Sequence, residues 1–239
     1  MRCGLADVDW FAERRDMTSV VPKLAIKIGV AVVAVAGLGL LFARSLSSTR
    51  SEPYPVAPEH LRNWTLTLES AAGPREPLLV LRPPADLVHS LFNLLFKRTM
   101  ESMNPPAAAG IPLLLRDEYE RAFAGRVTPE ALLGAARAAG LDRITPVPRC
   151  LAHRRESDVR ANQQLFFVIF DLPEYARFRQ QAAALLGADP SRANFDPDAQ
   201  SPILFIAVAE STFQRWLPLR ADPKTDCMAP IEVTAATGR

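Results

Sequence analysis

Residues 203–209 read ILFIAVA. Seven apolar residues follow one another without a polar interruption. Strict alternation would mark a strand with one wet face; a short unbroken run marks a strand buried on both. Such a strand needs a layer on each side, so the rest of the chain must supply helices or further strands to cover it. Its lead-in, FDPDAQSP at 195–202, is turn chemistry, with Asp-Pro followed by Ser-Pro. Asp196 and Asp198 are a closely spaced acid pair with a reach toward a hard cation. An ordinary Asp-Pro loop accounts for them equally, and no metal site is expected.

Upstream, PEYARFRQQAAALL reads as a helix ending at Gly187, with Asp171 and Glu174 as its capping box. Before it, RCLAHRRE (149–156) and LFFVIFDL (165–172) flank a polar turn and read as a hairpin. Earlier still, Thr128-Pro129-Glu130 is a helix start: a capping hydroxyl, a proline that loses no needed N–H, and an acid at the positive end. That helix stops at Gly140, and another runs from about Leu113 to Ala124. Asp86 opens DLVHSLFNLLFKRTM, with Leu87, Leu91, Leu94 and Leu95 at helical spacing, and NPPAAAGIP at 104–112 breaks it. The strands WTLTLES (64–70) and LLVLR (78–82) precede it, and APIEVTA near the end adds a short one. Strands on both sides of a helical insert define an α+β domain over 61–239.

The N-terminal part differs in kind. Residues 24–43 read LAIKIGVAVVAVAGLGLLFA, with Lys27 the one charge. About 20 residues span roughly 30 Å of hydrocarbon, and Lys27 lies near enough to the end to snorkel. The expected organisation is an N-terminal segment at 1–22, a transmembrane anchor at 23–43, and a Ser/Pro-rich extended linker at 44–60. The N-terminal side of the anchor carries Arg2, Arg14, Arg15, Lys23 and Lys27, against Arg44, Arg50 and Arg62 on the C-terminal side. That bias puts the N-terminus in the cytoplasm and the C-terminal domain outside. Arginine far outnumbers lysine and alanine is abundant, a habit of GC-rich bacteria, so the expected location is the inner membrane with a periplasmic domain. A cleavable signal peptide is the rival, with Ala43-Arg44-Ser45 as its small-x-small site and a secreted product. A buried soluble helix is the third reading.

The chain has 239 residues, 49% of them hydrophobic, and a net charge of +2. That composition belongs to a folded domain, and the charge makes no case for nucleic-acid binding. Cys3 would be cytoplasmic; Cys150 and Cys227 would share an oxidising space as one candidate disulfide, the alternative being two unpaired thiols. No C-x-x-C pair, G-x-S-x-G or glycine-rich phosphate loop occurs. Arg149, His153, Arg154 and Arg160 form a cationic cluster around one histidine, a candidate anion or phosphate site. Against it, Arg154 and Arg155 are adjacent on a strand and must face opposite sides. His89 shares a polar helix stripe with Asn93 and Lys97 and reads as solvated.

Over residues 163–217 the order strand, helix, FDP loop, Ser-Pro, apolar strand resembles the second half of two-histidine phosphoesterases. That family carries P-H-x-T at this point. Here Ser201-Pro202-Ile203-Leu204-Phe205 puts Ile203 at the histidine's place and Phe205 at the threonine's, and His153 is followed by Arg154 and Arg155 instead of an H-x-T. The resemblance implies the fold alone, because isoleucine transfers no proton. No catalytic residue and no cofactor is therefore expected. The expected function is a non-catalytic binding or envelope-assembly module whose partners are the bilayer and an envelope protein. The alternative is an anion-binding hydrolase using His153 and its neighbouring arginines.

Overall fold

The computed structural model describes residues 20–70, 76–158, 161–187, 194–209, 216 and 218–234; the side chains of 20–27, 42–48, 156–158 and 161–163 lie outside the description. The chain divides into two compact units, residues 1–48 and 49–239.

The described part of the first unit is helical: α1 runs Val20–Ser51, its last residues belonging to the second unit. Its described side chains at 28–41 are almost all exposed. Among the described residues no helix is long and apolar enough to cross a membrane. The stretch 28–41 covers only about 21 Å of helix axis at 1.5 Å per residue. The N-terminal segment expected at 1–22 lies, but for its last three residues, outside the described residues.

The second unit is mixed α and β. Its strands are β1 (Tyr54–Val56), β2 (Thr65–Leu68), β3 (Pro77–Arg82), β4 (Met103–Asn104), β5 (Ile111–Leu115), β6 (Val147–Asp158), β7 (Ala161–Asp171), β8 (Ile203–Ala209) and β9 (Cys227–Val233). The helices among them are α2 (Ala85–Thr99), α3 (Arg116–Ala122), α4 (Pro129–Ala138), α5 (Pro173–Leu185) and the single turn α6 (Pro223–Asp226). Six strands form one sheet in the order β1-β9-β6-β7-β8-β4, and β2-β3-β5 form a second. Neighbours are antiparallel except β1 and β9, which run parallel.

β8 is buried at all seven positions, and both of its faces are covered. Leu204 and Ile206 join Leu151, Phe166, Val168 and Phe170 in the main core, with Leu91 and Leu95 of α2 and Phe178 of α5. Ile203 and Phe205 pack on the other face with Cys150, Ala152, Phe167, Ile169 and Leu219. Ile203 and Phe205 are thus core side chains. Cys150 and Cys227 are joined by a disulfide, Cα atoms 5.7 Å apart, which staples β6 to β9 on this second face.

Local chemistry explains the helix ends. The Thr128 hydroxyl accepts the Ala131 N–H at 3.2 Å, and α4 ends before Gly140 at φ +94, a left-handed turn that glycine adopts without strain. α2 buries Leu87, Val88, Leu91 and Leu95 along one stripe.

Three sequence expectations change. Residues 44–60 are not an extended linker: α1 continues to Ser51, β1 enters the sheet against Ile231, Glu232 and Val233, and Pro58–Leu61 form a 3-10 turn. Serine and proline composition suggested a tether, yet Tyr54 and Val56 are core residues, so the folded domain starts before residue 61. The helix expected from Leu113 starts at Arg116, because Ile111–Leu115 is a strand buried throughout; three consecutive leucines cannot distinguish the two by period. Asp171 and Glu174 do not cap α5, whose N-cap is Leu172 with no side-chain acceptor. Asp171 pairs with Arg149, and Glu174 with Arg177 at 2.6 Å.

Candidate functional site

β6 carries Arg149, His153 and Arg154 of the predicted cationic cluster, and the pleat disperses them. His153 is half-buried on the main-core face, its ring stacked on Phe166 at 4.8 Å between centroids and its Nε2 3.1 Å from Gln164 Oε1. Arg154 points to the opposite face. There its Nε donates to Asp226 Oδ1 at 3.1 Å, and its Nη2 donates to the Arg220 carbonyl at 3.0 Å and to Asp226 Oδ2. Arg149 lies four residues from His153, about 13 Å along the strand, and pairs with Asp171 at 3.4 Å. Arg155 is exposed, and Arg160 lies outside the described residues. The structure therefore brings none of the described cations to a common point.

The acids of the FDPD loop are likewise engaged locally. Asp196 Oδ1 accepts the Asp198 N–H at 2.9 Å, the Asx turn that Asp-Pro sequences favour. Among the described residues no group of three His, Cys, Asp or Glu could hold a metal ion.

Beneath that loop lies a buried network that sequence reasoning missed. Arg179 of α5 is fully buried. Its Nη2 donates to Glu118 Oε1 at 2.9 Å and to the Asp196 carbonyl at 2.7 Å; its Nε donates to the Pro197 carbonyl at 2.9 Å and its Nη1 to the Leu113 carbonyl at 3.2 Å. The guanidinium also stacks on Phe195, 4.5 Å from the ring centroid. Glu118 accepts the Leu115 N–H at 3.0 Å, so one ion pair ties β5, α3, α5 and the lead-in to β8 together. Tyr175 lies beside it, one turn earlier on α5. Burial pushes its hydroxyl pKa well up, against the opposing pull of Arg179. The sequence did hold a signal: Arg179 occupies the stripe of Tyr175, Ala182 and Leu186, where an apolar residue belongs.

A second cation secures the start of the domain. Arg98 of α2 donates to the carbonyls of Glu52 at 2.6 Å and Pro53 at 3.0 Å and lies over the Tyr54 ring at 4.3 Å. Arg50 pairs with Glu101 at 2.5 Å. The peptide entering β1 is thus clamped to α2.

His89 is exposed on α2, as its polar stripe indicated. With Asp86, Val88, Phe92, Asn93, Pro105 and Ala109 it lines an open groove of about 500 Å³.

No protein-family model matches this chain, and neither a curated protein nor a solved structure does.

Proposed function

We propose that this chain is a single-pass membrane protein whose α+β domain acts as a non-catalytic binding or envelope-assembly module on the outer side of a bacterial inner membrane. The observation that carries this reading is the surface of α1. Ile28, Val30, Val32, Val33, Val35, Leu38, Leu40 and Leu41 are all more than half exposed, from 56% to 72%. Soluble monomers rarely present an apolar surface of that extent to water, and a helix apolar all round calls for apolar surroundings. The sequence extends the apolar run to residues 24–43, a length suited to a bilayer.

Two further observations support the reading. The Cys150–Cys227 disulfide suits an oxidising compartment. Two cations of β6 have partners within the domain, Arg149 in Asp171 and Arg154 in Asp226. That favours structural ion pairing over an anion site built around His153.

Alkaline carbonate extraction of membranes, combined with an alkaline phosphatase fused to the C-terminus, tests the placement. The chain is expected to stay with the bilayer and the fusion to be active. Release into the supernatant, or an inactive fusion beside an active cytoplasmic reporter, would sink it. A mature N-terminus at about residue 45 would establish the secreted form instead. In vivo crosslinking from the groove beside His89 should recover an envelope protein.

A further inference from the structure

Among the described residues the two sheets have four edges, and three are protected. β1 is short, contains Pro55 and buries Tyr54 and Val56. β4 has two residues and runs into Pro105 and Pro106. β5 is buried at every position and lies beside β8. β2 is the exception: Thr65 is exposed and Leu66, Thr67 and Leu68 are half-buried. It carries none of the usual edge protections, having no proline, no charge and no bulge.

The register identifies which of its amides are open. The Glu69 N–H donates to the Leu78 carbonyl at 2.9 Å, and Leu68 stands opposite Leu79. In an antiparallel pair, hydrogen-bonded and non-hydrogen-bonded positions alternate. Residues 65, 67 and 69 therefore bond to β3, while the N–H and C=O groups of Leu66 and Leu68 point away from it. Among the described residues no strand pairs with that side.

We propose that this edge is a homodimer interface, filled by β2 of a second copy running antiparallel about a twofold axis at Thr67. In that register Leu66 of each copy bonds Leu68 of the other, and Thr67 faces Thr67 in the close non-hydrogen-bonded position, a favourable cross-strand pair. The order β5-β3-β2 then continues as β2-β3-β5 of the partner in one six-stranded sheet. The strand ends carry opposite charges. Arg62, exposed, precedes the strand, and Glu69, half-buried and held by Arg82 through its Oε1, follows it. Antiparallel pairing runs the Arg62 end of each copy toward the Glu69 end of the other, three residues (about 10 Å) out of register, where parallel pairing would set like ends together. About that axis Thr67 meets Thr67, Leu66 meets Leu68 and Thr65 meets Glu69, so no charge stands opposite a charge of its own sign.

The test uses the full chain in detergent with Cys3→Ser, leaving the native disulfide as the background. Thr67→Cys should cross-link rapidly to a covalent dimer under mild oxidation, and Thr65→Cys at least tenfold more slowly, because it faces Glu69. Hydrogen exchange should show the Leu66 and Leu68 amides protected at high protein concentration and exposed on dilution, with Thr65 and Thr67 protected in both. Leu66→Pro removes an outward N–H without touching a bond to β3, and should give a monomer by light scattering. Thr67→Lys, which sets two charges face to face, is the second variant should the proline disturb the fold. A chain monomeric at every concentration, equal cross-linking at 65 and 67, or a dimer that survives both Leu66→Pro and Thr67→Lys would overturn the proposal. So would protection of Leu66 and Leu68 that appears only when another protein is present.

Discussion

Arg179 and Glu118 form a buried ion pair, Nη2 to Oε1 2.9 Å, inside a domain whose other buried side chains are nearly all apolar. The guanidinium also carries the carbonyls of Leu113, Asp196 and Pro197. Breaking one side of such a pair leaves a buried charge without a partner. Arg179→Met should therefore lower stability by about 3–5 kcal/mol. Adding Glu118→Leu should restore part of that loss. Chemical denaturation of the two single variants and the double variant measures the coupling; additive losses would show that the pair does not act as a unit.

The disulfide closes 77 residues of sequence, including β7, α5 and β8. Replacing both cysteines by serine should cost between about 2 and 5 kcal/mol, chiefly through the freer unfolded chain. Thermal unfolding with and without a dithiol reductant reads this directly. The wild-type chain should lose thermal stability on reduction, and the double serine variant should not respond.

Asp226 should make the fold acid-sensitive. Burial pushes its pKa up, but the hydrogen bonds from Arg154 and from the Asp222 N–H outweigh burial and hold it below the ordinary value of 3.8. A carboxyl depressed in the folded state adds stability above its unfolded pKa, and that stability is lost as pH falls through the folded one. Stability should decline below about pH 4. Asp226→Asn should flatten this part of the profile in acid unfolding followed by circular dichroism.

Gly110 leaves no room for a side chain. A Cβ there would meet Val80 Cγ2 at 2.5 Å, the Leu81 carbonyl at 3.2 Å and Trp216 at 3.3 Å. The second of these is backbone and cannot turn aside. Gly110→Ala should destabilise by about 1–3 kcal/mol, the usual range for overpacking. Gly134→Ala, with nothing within 4 Å, is the control and should be neutral or slightly stabilising.

Thr128 is the α-helix N-cap read correctly to the residue. Thr128→Ala should cost about 1 kcal/mol, seen as a shift of the denaturation midpoint with an unchanged slope.

Elements governed by local pattern were legible in the chain itself. The hairpin of β6 and β7, the amphipathic α2, the proline-led α4 and the doubly buried β8 each follow from period, capping chemistry or an unbroken apolar run, all of which act within a few residues. The opposed directions of Arg154 and Arg155 followed in the same way from the pleat. What failed was longer in range. Residues 44–60 have the composition of a tether, and only the parallel pairing of Tyr54–Val56 with β9, nearly the whole domain away in sequence, draws them into the sheet. The run at 113–115 became strand because β3 offers a partner edge, and no periodicity in three leucines reports that.

The sequence by itself determined the apolar character of residues 24–43, the α+β composition of the rest, and the burial of ILFIAVA on both faces, because hydrophobic pattern is a local property of the chain. Tertiary structure alone decided that Asp196 and Asp198 close a turn over Arg179, that Arg154 parts from His153 to the opposite face of β6, and that among the described residues β2 is left as the open edge. Those outcomes depend on which segments meet in space. A buried guanidinium needs carbonyls from separate segments of the chain, and an edge is defined by the neighbour a strand lacks.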